Sequence, residues 1–221
     1  MLYIVPTPIG NLEDITFRAI RILKKVDFIL AENIKNSKKL LNYYKIKNIL
    51  KSYHSYNEYK ILLNIITFLK KGNDIALISD AGTPIISDPG FLLVKYCIKN
   101  KIKVSCLPGA TAFLPALINS GFYINEFTFL GFLPHKQGKK NKLKTICKES
   151  RTIILYESPS RILETLFLIK KFLGKKQKKI SLCREISKKF EETIIGNINE
   201  IIYFFQKKTP KGEFVIILQG N

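Results

Sequence analysis

The chain alternates short apolar runs with longer amphipathic stretches over its whole length. The short runs are typical of β-strands, and the longer stretches repeat their apolar positions every three or four residues, as helices do. In the first half the predicted strands are Leu2–Val5, Asp27–Ala31, Ile49–Ser52, Asp74–Ser79 and Lys103–Leu107. The predicted helices between them are Thr16–Lys25, Ser37–Tyr44, Asn57–Lys71, Gly90–Asn100 and Thr111–Asn119. Because parallel strands need crossover helices, this rhythm predicts a parallel sheet covered on both faces.

The pattern breaks at residues 120–126 (SGFYINE), and a second alternation follows. Its predicted strands are Phe127–Gly131, Thr152–Tyr156, Ile180–Arg184, Glu192–Gly196 and Glu213–Leu218. Its predicted helices are Lys139–Lys148, Ser160–Phe172 and Asn199–Lys207. We therefore predict two α/β domains with parallel or mixed sheets, residues 1–119 and 120–221, with a ligand cleft between them.

The most informative loop is LISDAGTPIISDPGF at residues 77–91. An apolar strand opens here into a segment of Gly, Pro, Asp, Ser and Thr residues, and an apolar helix follows. Ordinary connections of this kind need only about two to six residues. Glycines let backbone N–H groups approach a ligand, and proline fixes the shape of the loop. We predict that this loop binds a ligand.

Other loops are placed to share that role. Pro6–Thr16 (PTPIGNLEDIT) and Pro108–Ala112 (PGATA) follow the first and fifth strands, and Asp14 is placed like the N-cap of the next helix. Because the carboxyl ends of parallel strands share one edge, the loops after strands 1, 4 and 5 would line one crevice. The G-x-G-x-x-G and G-x-x-x-x-G-K-[ST] phosphate patterns are absent. An adenosine derivative without a pyrophosphate, such as S-adenosylmethionine, fits better, although the residues do not separate it from other nucleosides.

Lys and Arg outnumber Asp and Glu by 37 to 17, which gives a net charge of +20. This charge favours a polyanionic partner such as RNA. A compositional drift towards Lys, Ile and Asn is the alternative explanation. The runs Lys136–Lys148 and Lys170–Lys179 are predicted to face RNA.

Cysteine, histidine and hydropathy patterns narrow the class of protein. The four cysteines form no C-x-x-C pair and are predicted to be reduced, partly buried thiols of a cytoplasmic protein. The only histidines, His54 and His135, argue against a histidine-rich metal site, and no metal is predicted. No stretch approaches the ~18 apolar residues of a membrane span.

Eight segments, in order, carry a resemblance to a known family. They are VPTPIGNLEDITFRA, SYHSYNE, ALISDAGTPIISDPG, LPGATA, FLGFLP, YESPSRI, REISKKFEE and KGEFVI. Together they resemble the ribosomal RNA small subunit methyltransferase I family, of the tetrapyrrole-methylase fold and class III S-adenosylmethionine-dependent methyltransferases. The resemblance implies 2′-O-methylation of a decoding-region cytidine (1402) in 16S ribosomal RNA, free or in the small ribosomal subunit, by a homodimer.

The resemblance also implies roles for individual residues. Around the methionine and ribose of the cofactor it places Gly82, Thr83, Pro84, Ile85, Ile86, Ser87 and Asp88, with Pro108, Thr111 and Ala112 lining the same pocket. From the second domain it places Tyr156, Glu157, Gly212, Glu213 and Phe214 near the adenine. Pro6–Asn11 would lie over the methyl group and the incoming ribose.

A ribose hydroxyl is a weak acid, so a positioned base is expected to assist the transfer. The candidates in KKFEE are Lys188 or Lys189, Glu191 and Glu192, and a lysine serves only if desolvation lowers its pKa. Asn11 is the catalytic candidate in the first loop, where Glu13 is a less favoured base.

The sequence departs from the family at three motifs. The family usually reads EDTR where Glu32 is followed here by Asn33, Ile34 and Lys35. Ser55 and Tyr56 replace an acidic residue and a histidine, and Ser160 replaces a histidine in YESPSR. These changes bear on RNA affinity more than on cofactor binding.

Two other functions compete with this interpretation. A tetrapyrrole methyltransferase of the same fold usually carries G-x-G-x-G-D in the first loop, whereas Asn11 stands at the Asp position here. A non-catalytic RNA-binding module would show an aromatic-rich binding pattern, which the sequence lacks. Binding of S-adenosylmethionine would discriminate the latter.

Overall fold

The computed structural model describes residues 1–174, 178–206 and 209–220, without the side chain of Lys136. The chain divides into two compact units, unit 1 (Met1–Thr111) and unit 2 (Ala112–Asn221). Each unit has a five-stranded sheet, helices and an apolar core of its own.

Unit 1 has an all-parallel sheet, as the alternating pattern predicts. Its strands are β1 (Leu2–Ile4), β2 (Phe28–Ala31), β3 (Leu50–Ser52), β4 (Ile75–Ile78) and β5 (Val104–Cys106). Its helices are α1 (Phe17–Lys25), α2 (Ile34–Tyr43), α3 (Glu58–Lys70) and α4 (Phe91–Lys99). The strand order is β3-β2-β4-β1-β5, with every pairing parallel. This order places β4, β1 and β5 side by side.

The central strands of unit 1 are buried on both faces, which explains their continuous apolar sequences. On β2 and β4, Leu30 and Leu77 point into one apolar cluster, which is completed by α3 and α4. The alternate residues Ile29 and Ala76 point into a second cluster, which includes side chains of α1 and α2. Different helices therefore cover the two faces of the sheet, and the loops lie at the ends of the strands.

Unit 2 has a mixed sheet. Its strands are β6 (Phe127–Phe132), β7 (Thr152–Glu157), β8 (Ile180–Arg184), β9 (Glu192–Gly196) and β10 (Phe214–Leu218). Its helices are α5 (Phe113–Asn119), α6 (Lys136–Ile146), α7 (Ile162–Leu173) and α8 (Ile198–Gln206). The order is β6-β7-β10-β8-β9. Strands β6 and β7 are parallel, and the other three pairings are antiparallel.

The boundary between the units lies before α5, at Thr111 and Ala112, and not near residue 120. Helix α5 packs against β7 and β10, and its Ala116 and Leu117 are buried. The break in the sequence pattern at residues 120–126 therefore marks the turn from α5 into β6.

The predicted elements agree with the observed ones to within about three residues at each end, as expected for terminal turns. The predicted end of the last helix at Lys207 lies outside the described residues. All four cysteines are free thiols, with Cys97, Cys147 and Cys183 buried and Cys106 exposed. Among the described residues, no helix has both the length and the apolarity needed to cross a bilayer.

Candidate functional site

Three loops of unit 1 meet at the carboxyl edge of its sheet. We call them the first loop (residues 6–16), the long loop (residues 79–90) and the third loop (residues 108–111). Thr7 and Gly82 exchange two backbone hydrogen bonds, with N···O distances of 2.9 and 3.0 Å. Thr83 Oγ1 donates to the carbonyl of Ala110 at 3.0 Å. The predicted convergence of the loops after strands 1, 4 and 5 is confirmed by these contacts.

Two buried hydroxyl groups hold the base of the long loop. Thr7 Oγ1 donates to the carbonyl of Ser79 at 3.1 Å, and Ser79 Oγ donates to the carbonyl of Gly82 at 3.2 Å. Both side chains are almost fully buried. Thr7 and Ser79 therefore hold the start of the long loop in place, and they are too buried to contact a ligand.

The long loop holds a strained backbone. Gly82 and Gly90 have φ values of 82° and 129°, and the non-glycine residues Ile85 and Ser87 have φ values of 77° and 72°. A positive φ is unusual for any L-residue and is most costly for a β-branched one such as Ile85. Strain of about 1–3 kcal/mol per residue persists only where the surroundings impose it, and it concentrates at ligand sites.

The glycines of these loops make room for neighbouring loops. A Cβ on Gly109 would lie 2.5 Å from Pro6 Cβ, and one on Gly90 would lie 2.7 Å from Leu77 Cδ2. A Cβ on Gly82 would lie 3.3 Å from Ile9 Cγ2. The sequence-based expectation was that these glycines let the backbone approach a ligand. In the structure they let the loops pack against each other.

The first loop is shaped by two caps. Asn11 Oδ1 accepts from the N–H of Glu13 at 3.1 Å and begins a short 3₁₀ turn, Leu12–Asp14. Thr16 Oγ1 accepts from the N–H of Ala19 at 3.0 Å and caps α1. The prediction that Asp14 caps this helix is wrong, because the 3₁₀ turn separates Asp14 from the start of α1.

A group of titratable side chains lies at the neighbouring part of the same edge. Glu32, His54 and Asp80 follow β2, β3 and β4, which are adjacent in the sheet. Burial of Glu32, followed by the charge of Asp80, raises the pKa of the Glu32 carboxyl, while the N–H of Asp80 and the charge of His54 oppose that shift. Asn36 Nδ2 donates to Asp80 Oδ2 at 2.8 Å. Sequence analysis missed this group, although the strand order identifies it.

The altered EDTR motif has a structural explanation in part. Asn33 caps α2, because its Oδ1 accepts from the N–H groups of Lys35 at 3.0 Å and Asn36 at 3.3 Å. Asparagine and aspartate are about equally good N-caps. The exchange at position 33 therefore keeps the local fold.

The first predicted cofactor loop of unit 2 encloses Glu157. Its carboxylate accepts from Ser158 N–H at 2.9 Å, Thr165 Oγ1 at 2.6 Å and Arg161 Nη2 at 2.7 Å. Lys139 Nζ lies 3.7 Å away. Because Glu157 is only 2% exposed and its oxygens are occupied, its predicted role as a cofactor contact is not supported. It organises the interior of unit 2.

The neighbouring Tyr156 packs its ring against those of Phe129 and Phe132, with centroid distances of 5.1 and 5.6 Å. Ser160, at the altered position of the same motif, lies 3.3 Å from Ser158, oxygen to oxygen. Tyr156 stays a predicted adenine contact.

The second group of unit 2 joins the loop after β8 to the segment before β10. Glu185 Oε1 accepts from Lys188 Nζ and from the N–H of Glu213, both at 2.9 Å, and Lys188 Nζ lies 2.9 Å from Glu213 Oε2. Gly212 has a φ of 90°, and a Cβ there would lie 2.5 Å from Glu185 Cγ. Phe214 is buried against Phe205. Sequence analysis missed the central role of Glu185.

These contacts argue against the prediction that the base lies in the KKFEE segment. Partial burial lowers the pKa of Lys188, but its hydrogen bonds to Glu185 and Glu213 outweigh that effect and raise it. These ion pairs favour the protonated form of Lys188, so its role as a base stays a prediction that they do not support. Glu191 accepts from the N–H of Ser187 at 2.7 Å, and Glu192 lies 3.2 Å from Arg184. Both carboxylates have internal partners.

The lysine runs are only partly available to RNA. Lys139 is 1% exposed and pairs with Glu164 at 2.8 Å, and Lys178 donates to the carbonyl of Glu149 at 2.6 Å. The exposed lysines of the two runs are Lys140, Lys142, Lys144, Lys148, Lys170, Lys171 and Lys179. Lys175 and Lys176 lie outside the described residues.

The two-unit fold is that of a methylase class that comparisons with known proteins identify. The family described as Tetrapyrrole (Corrin/Porphyrin) Methylases matches residues 1–202. Two crystal structures of uroporphyrin-III-C-methyltransferase from Thermus thermophilus share the fold, with TM-scores of 0.66 and 0.68 at 17% and 15% identity. They align with 98% and 99% of this chain and with 93% and 96% of their own.

The sequence relatives are more specific. "Ribosomal RNA small subunit methyltransferase I" of Thermotoga maritima is 43% identical over 220 residues, which is 100% of this chain and 98% of that protein. The protein of the same name from Bacillus subtilis is 47% identical, over 100% of this chain and 75% of its own length. The chain belongs to the tetrapyrrole methylase family and, within it, to the ribosomal RNA small subunit methyltransferase I proteins.

Proposed function

We propose that this protein transfers a methyl group from S-adenosylmethionine to the 2′-oxygen of a cytidine in 16S ribosomal RNA. The observation that carries this proposal is the full-length similarity, at 43–47% identity, to relatives whose name states small subunit ribosomal RNA methylation. The joined loops at the carboxyl edge of the sheet in unit 1 supply a ligand site consistent with it.

The three loops suit a cationic nucleoside. They contain no lysine or arginine, whereas Glu13, Asp14, Asp80 and Asp88 lie within them, in a chain of net charge +20. Such a site disfavours a pyrophosphate and favours a sulfonium cation. The residues that would hold the cofactor are those of the long loop from Gly82 to Asp88 and those of the third loop.

Bound S-adenosylmethionine would supply the electrophilic methyl group. The task of the loops is then to hold the donor and the ribose in line, because placing the reacting atoms about 3 Å apart removes much of the entropic barrier. Hydrogen bonds tie the long loop to the first loop through Thr7 and to the third loop through Thr83, and these contacts support it in that task.

The RNA partner and the assembly belong to the same proposal. The exposed lysines of α6 and α7 would contact RNA phosphates, and the small ribosomal subunit is the expected substrate. We also propose that the protein acts as a cytoplasmic homodimer. Sedimentation analysis would show a mass twice that of the 25.4 kDa chain, and a monomer at working concentration would contradict the dimer.

Transfer of a labelled methyl group tests the reaction. Purified protein would be incubated with methyl-labelled S-adenosylmethionine and with small ribosomal subunits, free 16S RNA or a porphyrinogen. We expect label on a cytidine ribose, which resists alkaline cleavage at the next phosphodiester bond. Label on a base or on the tetrapyrrole alone would overturn the proposal.

A substitution in the long loop tests the cofactor site. Thr83→Arg places a long cation where Thr83 contacts Ala110, so we expect loss of S-adenosylmethionine binding by at least about 100-fold in calorimetric titration, with RNA affinity retained. Thr83→Val keeps the shape and loses one hydrogen bond, and we expect about a fivefold weakening. Thr67→Arg, on the exposed face of α3, is the control. Unchanged binding in Thr83→Arg would contradict the assignment.

A further inference from the structure

The group Glu32, His54 and Asp80 lies at the sheet edge beside the long loop. Register places Ala31 opposite Ser52 of β3 and Ile78 of β4, so the next residues of all three strands emerge together at the carboxyl edge. Asp80 is part of the long loop itself, two residues before Gly82, which binds the first loop through Thr7. The group is therefore fixed to the predicted cofactor loop by the backbone.

The three side chains differ in their partners. Glu32 is half-buried and directly follows Ala31, which register places opposite Ile78 of β4, the strand that leads to Asp80. The carboxylate of Asp80 is exposed and is held by Asn36. His54 contributes a buried Nδ1 for which the described residues provide no hydrogen-bond partner. A half-buried carboxyl with a second carboxylate and an unpartnered imidazole nitrogen beside it is a candidate proton acceptor.

The other candidate bases are less suitable. Lys188 is paired with two carboxylates, those of Glu185 and Glu213. Glu192 is paired with Arg184, and Glu191 closes the turn at Ser187. A carboxylate paired with a cation is a weaker proton acceptor than one set beside another acid, and Glu191 is the rival that the test below includes.

We infer that Glu32 is the proton acceptor for the ribose hydroxyl, with Asp80 and His54 as the residues that position and tune it. This inference rests on the proposed function. It moves the base from the KKFEE motif of unit 2 to the sheet edge of unit 1, next to the loops that would hold the cofactor.

The step balances in atoms and electrons. The ribose oxygen forms a bond to the methyl carbon supplied by S-adenosylmethionine, and the pair of the broken carbon–sulfur bond stays on sulfur, which becomes a neutral thioether. The hydroxyl proton passes to the Glu32 carboxylate, which becomes a carboxylic acid. Asp80 and His54 are the titratable groups whose charges act on Glu32. Because Glu32 is only partly buried, its carboxylic acid can return the proton to water.

The proton acceptor must be ionised, so the rate has a defined pH dependence. Burial and the neighbouring acid keep Glu32 protonated to a higher pH than an ordinary glutamate, whose pKa is 4.5. The single-turnover rate should therefore fall as the pH falls through the pKa of Glu32. This fall in rate at low pH is the acid limb of the pH profile. Asp80→Asn removes the neighbouring charge that helps to raise the pKa of Glu32, so the acid limb should move to lower pH but still be present.

The test compares wild type, Glu32→Gln, Asp80→Asn and Glu191→Gln in single-turnover methylation of small ribosomal subunits from about pH 5 to pH 8. For Glu32→Gln we expect a rate loss of about 100-fold or more and no acid limb, with affinities for S-adenosylmethionine and RNA within threefold of wild type. Glu191→Gln should keep both rate and limb.

A second readout uses the protein without ligands. Because the folded-state pKa of Glu32 is raised, its contribution to stability is present below pH 4.5 and is lost as the pH rises through the raised pKa. The stability of Glu32→Gln relative to wild type should therefore increase with pH in urea unfolding.

The outcomes separate the two claims. The inference would be overturned if Glu32→Gln methylates ribose at a rate within threefold of wild type. It would also be overturned if Glu191→Gln, and not Glu32→Gln, loses the acid limb. Either result would leave the proposed function intact. A stability difference that does not change with pH would also overturn the inference. No ribose methylation by wild type would overturn both.

Discussion

At the scale of single residues, Glu157 shows how a functional prediction and a structural role are distinguished. Its carboxylate is buried with two cations, Arg161 and Lys139, and with the hydroxyl of Thr165. Removing one partner from a buried ion pair leaves charge without compensation, which typically costs about 3–5 kcal/mol. A residue that only contacts a cofactor would not show that cost.

We therefore expect Glu157→Gln to lower the free energy of unfolding by about 3 kcal/mol. Urea unfolding followed by circular dichroism measures it, since the chain has no tryptophan. Glu126→Gln, an exposed site in the same unit, is the control and should change stability by less than about 0.5 kcal/mol. A variant with wild-type stability and weakened S-adenosylmethionine binding would restore the cofactor role.

Single residues were also the hardest level to predict. The lysine-rich segment at α6 is predicted to face RNA, yet Lys139 turns inward because Glu157 and Glu164 neutralise it. The importance of Glu185 depends on residues 28 positions away. No local pattern encodes such a partner.

At the scale of elements, the long loop and the start of α4 depend on one close contact. Gly90 precedes α4 with a φ of 129°, and its α-carbon faces Leu77 of β4 and the strained Ile85. The conformation of residues 82–88 therefore depends on a glycine at position 90, where a side chain does not fit.

Gly90→Ala is expected to destabilise the protein by about 2–4 kcal/mol, because the Cβ would meet Leu77 and Ile85 at 2.7 and 2.8 Å in addition to the backbone strain. Gly72→Ala is a matched control, since Gly72 has a φ of 92° and no neighbour within 4 Å of its Cβ position. Its cost should be about 1 kcal/mol, from backbone strain alone. Thermal unfolding of both variants makes the comparison. Equal losses would show that the contact beneath the loop is unimportant.

The elements themselves were largely predictable, because buried strands read as continuous apolar runs and the helices show an apolar face. Two features were not. Helix α5 joins unit 2 through contacts with β7 and β10, which lie more than thirty positions further along the chain. The positive φ of Ile85 contradicts the preference of isoleucine, so only tertiary packing imposes it.

At the scale of the whole molecule, charge is divided between surface and site. The chain carries a net charge of +20, yet the three loops of the candidate site contain only acidic charges. Long-range attraction for RNA and short-range attraction for a sulfonium are thereby provided by different residues. This separation of charge can be recognised in the sequence only after the structure shows that the three loops converge.

The exposed lysines of α6 and of the turn that follows it give a prediction at this scale. Replacing Lys140, Lys142, Lys144 and Lys148 with Gln should reduce the slope of log K against log salt for RNA binding, by about 0.7 for each RNA phosphate that a lysine no longer neutralises. The same change at Lys24, Lys25, Lys38 and Lys39, which are exposed on α1 and α2, is the control for net charge. If both sets lower the slope equally, α6 is not a specific RNA surface.

The most direct test of the central claim is a crystal structure of the protein grown with S-adenosylmethionine. We predict that the donor lies against the long loop between Gly82 and Asp88, bounded by the first and third loops, with its methyl group open towards Glu32. A donor bound away from these loops would contradict the account. So would a donor-free structure in which Ile85 no longer has a positive φ.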